Sequence, residues 1–408
     1  MSIRRTAPAA ALAAVLSATV LSASVLATSG DATAAPRPAA SAVVGAAAGT
    51  AATARAASTE LALPRPTGPY AVGESTLEMV DVHRRDPWVP SAGPRRLMVS
   101  VLYPARPGGG PPAPYLTTAE ARLFLAAQAP GSAFPAQALA DARTYARLGA
   151  RPAPGRFPLV LLSPGFELPR ATLTGLAVDL ASRGYVVALV GHTYEDSGTT
   201  FPDGTTVGCA ICDDASADPA AIARSRALDL SFVLDELTGP RPVWPYARLI
   251  DRRRVGVAGH SLGGDAAMAA MAGDARFRAG IDLDGAFFDQ VPASGLGGRP
   301  FLLLGNPADH GVNGGEPSWS TAWPRLDGWK RWITVTGTDH VSFTDIPVLA
   351  DEAGIPGVDG TISSPRAEQL TRECVAAFFT LHLKAVPQPL LDGPTPTTPE
   401  LVFDQPPR

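Results

Sequence analysis

The chain has 408 residues, 46% of them hydrophobic and 18% charged, with 40 Gly and 41 Pro. That apolar share excludes a disordered chain, and the lack of a glycine period excludes a collagen-like one. Lys+Arg number 34 against 38 Asp+Glu, a net charge of -4, so no basic excess attracts a phosphate backbone and no nucleic-acid partner is expected.

In chain order, Arg4 and Arg5 open a positive segment, and a run rich in Ala, Ser, Val and Leu follows from Ala7 to Thr28. Small residues at Ala32-Thr33-Ala34 suit a signal peptidase, so residues 1–34 read as a signal peptide and the protein as secreted. The alternative is an uncleaved membrane anchor, because the run is long enough to span. Residues 35–63 read as an Ala-rich flexible leader, and 64–408 as a single domain. Ser75–His83 and Arg96–Tyr103 suggest antiparallel strands, Arg106–Pro114 a loop, and residues 117–149 a helical cover.

From residue 157 strands and helices alternate. Strands are expected at Phe157–Ser163, Tyr185–Val190, Val255–Gly259, Ala279–Asp284, Pro300–Gly305 and Arg331–Thr336. Helices are expected at Thr172–Arg183, Pro219–Leu237, Leu262–Ala272 and Ser364–Lys384, the last opened by Ser364-Pro365. Short, continuously apolar strands between helices imply an α/β fold with a mostly parallel central sheet and helices on both faces.

Gly259-His260-Ser261-Leu262-Gly263 joins an expected strand to an expected helix, the setting of a G-x-S-x-G nucleophile elbow. Ser261 is therefore the candidate nucleophile, and it needs a base to take its proton. Downstream histidines are His310, His340 and His382. His382 falls inside the last helix and His310 in a loop, whereas His340 stands between the last strand and the last helix, where such a base must sit. Four aspartates compete as the acid. Asp284 and Asp309 follow strand ends, Asp282 lies deeper along its strand, and Asp339 adjoins His340 too closely to orient its ring.

At these residues the chain resembles secreted α/β-hydrolases of the platelet-activating-factor acetylhydrolase (lipoprotein-associated phospholipase) type and their bacterial lipase/esterase relatives. The resemblance spans roughly residues 64–404 and includes Pro66-Thr67-Gly68-Pro69-Tyr70, Leu102-Tyr103-Pro104-Ala105, Ser163-Pro164-Gly165-Phe166, Gly184-Tyr185-Val186-Val187, the elbow, Asp282-Leu283-Asp284-Gly285 and 337–345. It implies an α/β-hydrolase fold and an acid 23 residues after the serine; 284 − 261 = 23 selects Asp284. Cutinase-like polyester hydrolases carry the acid one strand later, and Asp309, with 340 − 309 = 31, is the alternative acid. The oxyanion hole is expected to combine the backbone N–H of Leu262 with that of Phe166, which follows Pro164-Gly165 where the family has His-Gly.

The implied activity is hydrolysis of carboxylic esters, of short-acyl lipid or phospholipid type, with no cofactor and no metal. A cutinase-like polyesterase or triacylglycerol lipase is the alternative enzyme, and a non-catalytic lipid-binding protein the alternative from another class. Expected partners are a small-molecule or lipid ester and, transiently, a lipid surface, with the chain a monomer. Elsewhere, Cys209-Ala210-Ile211-Cys212 reads as a small loop disulfide and Cys374 as a buried free thiol. Trp319, Trp323, Trp329 and Trp332 read as core packing, with an acyl-pocket wall as the other possibility. Arg252–Arg254 read as a solvated turn, and Glu195 and Asp196 carry no assigned chemistry.

Overall fold

The computed structural model describes residues 60–358 and 360–406. The expected signal peptide and nearly all of the Ala-rich leader lie outside the described residues. The strands are β1 (Ala71–Arg85), β2 (Pro94–Ala105), β3 (Ala146–Leu148), β4 (Phe157–Ser163), β5 (Val186–Gly191), β6 (Thr199–Thr200), β7 (Thr206–Val207), β8 (Ile250–His260), β9 (Ala279–Leu283), β10 (Phe301–Gly305), β11 (Lys330–Val335) and β12 (Leu401–Phe403). The helices are α1 (Thr118–Gln128), α2 (Ala136–Ala140), α3 (Thr174–Ser182), α4 (Pro219–Thr238), α5 (Leu262–Gly273), α6 (Pro307–His310), α7 (Ser318–Ala322), α8 (Ile346–Ala353) and α9 (Ser364–Lys384).

Ten strands form one sheet in the order β12-β11-β10-β9-β8-β4-β5-β2-β1-β3, and β6 and β7 pair separately. The six from β11 to β5 run parallel; β2 joins antiparallel to β5, and β1 antiparallel to β2. Strands buried on both faces need apolar residues at every position, which is why β4 reads Phe-Pro-Leu-Val-Leu-Leu-Ser without alternation. The period of two still sorts its side chains. Leu159 and Leu161 pack under α4 and α5 with Leu230, Val233 and Met268. Val160 and Leu162 pack on the opposite face against α3 and α9, with Leu176, Leu370 and Phe378. Cys374 is buried in this second layer as a free thiol.

Three expectations change. The segment 117–149 is helical only at α1 and α2; it ends as β3, which pairs parallel to β1. Those helices pack through Phe124, Leu139 and Ala140 on Leu168, Ala171 and Leu349, so they do cover the loop after β4. Arg252–Arg254 are not a turn before the strand but a bulge within β8, where the register against β4 jumps from Pro158↔Asp251 to Leu159↔Val255. Finally β9 stops at Leu283, and Asp284 leaves the strand with φ +59°. Among the described residues no helix is long and apolar enough to cross a membrane.

Candidate active site

All the elements of the candidate site sit at the carboxyl edge of the parallel strands, where open α/β sheets place their ligands. Ser261 follows β8 with φ 55° and ψ -127°, a region costly for any residue with a Cβ. The turn survives because its neighbours over-determine it. The Ser261 N–H donates to the Leu283 carbonyl at 2.9 Å, and the Gly264 N–H donates to the Ser261 carbonyl at 2.8 Å. A Cβ at Gly263 would overlap the carbonyls of Ser163 and Pro164, and one at Gly264 would overlap the Asp282 carboxylate. The glycines therefore let the elbow press against β4 and β9 at once, leaving the serine hydroxyl partly exposed.

His340 and Asp284 converge on that hydroxyl. His340 Nε2 lies 2.9 Å from Ser261 Oγ, and His340 Nδ1 lies 2.8 Å from Asp284 Oδ2. The imidazole is 43% exposed, while Asp284 is fully buried. Burial opposes the aspartate's charge, but hydrogen bonds from His310 and His340 outweigh it and hold the carboxyl well below the usual range. An ionised Asp284 accepts only, so His340 carries its proton on Nδ1 and presents Nε2 as an acceptor for the serine hydroxyl. Burial lowers the affinity of His340 for a second proton, yet the Asp284 carboxylate more than compensates and raises its pKa above 6.5.

Asp284 is held from four directions. Its Oδ1 accepts from the Asn306 N–H at 2.6 Å and from His310 Nδ1 at 3.0 Å. Its Oδ2 accepts from Asn306 Nδ2 at 2.8 Å as well as from His340. His310 is thus not a rival base but a second donor to the acid, stacked on Trp319 with ring centroids 4.3 Å apart. Trp332 Nε1 donates to the His310 carbonyl at 2.7 Å, and both tryptophans are fully buried. Trp323 and Trp329 are partly buried against the core. The packing reading applies to Trp319 and Trp332, which brace the acid.

The alternative acid Asp309 is displaced from this arrangement. It is exposed in α6, and its carboxylate accepts from Asn306 Nδ2 at 3.0 Å rather than from an imidazole. Asp282 lies buried beneath the elbow, bonded to the Gly285 N–H at 2.9 Å and Trp319 Nε1 at 3.0 Å. Asp339 forms a capping box with Ser342 ahead of the turn that carries His340. His382 packs between Trp329 and Phe378.

Phe166 and Leu262 share a small apolar cluster with Ile211, Ile222 and Trp88, which brings the loop after β4 beside the start of α5. Leu262 opens its helix, so its N–H has no carbonyl one turn earlier. Within the loop the Glu167 N–H is taken by the Glu195 carbonyl at 2.9 Å and the Leu168 N–H by the Gly165 carbonyl at 3.3 Å. Cys209 and Cys212 form a disulfide with Cα atoms 5.7 Å apart, and Cys209 borders the same cluster.

Two features escaped the sequence reading. His260, fully buried, donates from Nε2 to the His340 carbonyl at 2.8 Å and so fixes the turn that carries the base. Burial and the neighbouring His340 push its pKa down to about 3, so it stays a neutral donor. Its only signal was its place inside the elbow motif. The other is a second relay with the same distances: Ser163 Oγ to His192 Nε2 at 2.9 Å, and His192 Nδ1 to Asp229 Oδ2 at 2.8 Å. Ser163, His192 and Asp229 are 0%, 1% and 0% exposed, and Ser163 ends a regular strand. No ester carbonyl reaches that hydroxyl. Access and backbone strain, not distance, separate the two constellations.

A serine elbow, a histidine after the last parallel strand and an acid at a strand end, on this sheet, define an α/β-hydrolase. The family model for platelet-activating factor acetylhydrolase, isoform II, matches residues 246–386, from just before the elbow strand to just past α9. A solved structure, the ferulic acid esterase from Streptomyces cinnamoneus, superposes with a TM-score of 0.76 at 46% identity, covering 85% of this chain and 100% of that one. A probable 1-alkyl-2-acetylglycerophosphocholine esterase of Arthroderma benhamiae is 28% identical over 376 residues, 84% of this chain and 93% of that protein. The platelet-activating factor acetylhydrolase of Cavia porcellus is 23% identical over 270 residues, 56% of this chain and 58% of that protein. The chain belongs to the α/β-hydrolase esterases, and its second half resembles the platelet-activating factor acetylhydrolases.

Proposed function

We propose that the protein is a secreted serine esterase that cleaves carboxylic esters through an acyl-enzyme on Ser261, with short-acyl lipid or phospholipid esters as substrates. The observation that carries this reading is the chain from Ser261 Oγ through His340 to Asp284, at 2.9 and 2.8 Å, on a strained and accessible turn. Ser261 Oγ bonds to the ester carbonyl carbon as its proton passes to His340 Nε2. The carbonyl oxygen becomes an oxyanion facing the Leu262 and Phe166 N–H groups, neither of which donates elsewhere among the described residues. Collapse breaks the bond to the alcohol oxygen, which takes the proton from His340. Water then repeats the sequence on the acyl-enzyme and releases the acid.

The short-acyl preference is supported by the relatives named for acetylated glycerophosphocholine and platelet-activating factor. A second reading, esters of an aromatic acid, is favoured by the 46% identity to a ferulic acid esterase. In either case the enzyme acts as a monomer and touches lipid surfaces only in passing. The test is labelling of the folded protein by a fluorophosphonate, followed by turnover of nitrophenyl esters of rising chain length, a 2-acetyl phospholipid and methyl ferulate. Label at Ser261 with a preference for acetyl over long acyl groups is expected. Absence of label would leave a non-catalytic lipid-binding protein; preference for methyl ferulate would select the aromatic reading. Loss of residues 1–34 from protein recovered outside the cell is the expected sign of export.

A further inference from the structure

Behind the loop after β4 lies a buried cluster of charge that the catalytic arrangement does not use. Arg95, Arg226, Glu195 and Asp229 are each at most 1% exposed. Arg95 donates to Glu195 Oε1 and Asp229 Oδ2, both at 2.8 Å, and to Asp86 Oδ2 at 2.9 Å. Arg226 donates to Glu195 Oε2 at 2.6 Å, and Arg84 pairs with Asp229 from the rim. Three arginines thus face three carboxylates, with His192 bridging Asp229 to Ser163. Burying so many ions is costly, and apolar residues of like volume would often be as stable. A position-setting role accounts for the cost.

Its contacts on the loop supply that role. The Arg226 Nη1 donates to the Pro164 carbonyl at 2.6 Å, one peptide before the Phe166 N–H. The Glu195 carbonyl accepts from the Glu167 N–H at 2.9 Å, one peptide after it. Glu195 and Arg226 are themselves joined, and Trp88 Nε1 adds a third donor to the Glu195 carboxylate at 2.6 Å. The peptide that offers the Phe166 N–H is therefore held on both sides by the two members of one ion pair, through the Arg226 side chain and the Glu195 main chain.

We propose that Arg226 and Glu195 are positioning residues for the oxyanion site: their ion pair fixes the orientation of the Phe166 N–H toward the developing alkoxide. This rests on the serine-esterase reading above. A donor that must meet an oxyanion rather than a ground-state carbonyl has to be held in place before the reaction, and losing one such donor costs about 100- to 1,000-fold in kcat.

The experiment compares Arg226→Met, Arg226→Lys, Glu195→Gln and Leu230→Ala with the wild-type enzyme. Leu230 is a fully buried core residue of the same helix with no charge or polar group to offer the loop, so its truncation serves as the stability control. Each protein is measured for kcat and KM on a short nitrophenyl ester and for inhibition by a trifluoromethyl ketone, which forms an oxyanion adduct. Arg226→Met is expected to lower kcat about 100-fold with KM within about threefold, and to weaken the ketone in parallel. Arg226→Lys recovers part of both, and Leu230→Ala lowers Tm while leaving kcat within about twofold. Should Arg226→Met fail to fold, Glu195→Gln, which keeps volume but removes the charge, is expected to show the same parallel loss. A kcat for the cluster variants close to that of Leu230→Ala, or a ketone affinity that does not follow kcat, would overturn the proposal. A wild-type enzyme that the fluorophosphonate does not label overturns the serine-esterase reading instead.

Discussion

At the scale of single residues, Asp284 carries more of the site than any other side chain, because four donors converge on one buried carboxylate. Asp284→Asn is expected to lower kcat by about 10⁴, since the amide favours the wrong imidazole tautomer and cannot stabilise imidazolium. Asp309→Asn should stay within about tenfold of wild type, because Asp309 is exposed and acts on His340 only through space. Steady-state kinetics on both variants, with folding checked by circular dichroism, decide between the two aspartates. The pH profile gives an independent check. His340 must be neutral to accept the serine proton, and Asp284 raises its pKa, so kcat/KM should climb with pH along a limb centred above 6.5. In His310→Phe the acid loses a donor and pulls harder on His340; the limb should move to higher pH, while His310→Asn, which keeps an N–H, holds it nearer wild type. The candidate nucleophile and base, Ser261 and His340, were legible from chain order alone. The acid was not, because Asp284 and Asp309 both follow strands, and only the positive φ at Asp284 turns its carboxylate back toward the elbow.

The elbow concentrates strain at the scale of one strand–turn–helix unit. Ser261 occupies a backbone region suited to glycine, with φ 55° and ψ -127°. Ser261→Gly should therefore abolish turnover yet stabilise the fold by about 1 kcal/mol, the low end of what such a conformation costs. Ser261→Ala, which keeps the Cβ, should abolish turnover without that gain; urea unfolding of the two variants separates them. Gly264→Ala should be strongly destabilising, because a methyl group there meets the Asp282 carboxylate. Most elements of the parallel sheet were legible because strands buried on both faces must be apolar nearly throughout, and β4, β5 and β10 are up to their last residue. Elements that draw their stability from elsewhere were not. β3, β6, β7 and β12 have two or three residues each and no apolar run to announce them. The three-arginine bulge in β8 reads as a turn until its pairing with β4 is seen.

Across the whole molecule, partners brought together from distant positions dominate what composition could not reveal. Arg95 meets Asp229 across 134 residues and Glu195 across 100, so three ordinary-looking surface charges become one buried cluster. Removing a single member leaves the others uncompensated; Arg95→Met should cost about 3–5 kcal/mol of stability, read from urea unfolding. A second long-range encounter sets a pH dependence. Asp265 in the first turn of α5 and Asp282 in β9 are both buried beneath the elbow, and the Asp265 Oδ1 has no hydrogen-bond partner. Burial, and to a lesser degree the charge of Asp289, push the Asp265 carboxyl up to about 8 despite hydrogen bonds from the Phe288 and Asp289 N–H groups. A carboxyl whose folded pKa lies above its unfolded value of 3.8 favours folding fully only below that value, and the contribution is lost as pH rises to about 8. Asp265→Asn resembles the protonated acid in shape and charge. It should match wild type in Tm near pH 4, exceed it by a few degrees near pH 8, and flatten the decline between. Calorimetric scans of both proteins across that range test this, and an equal decline in the two would show that Asp265 is not the group responsible.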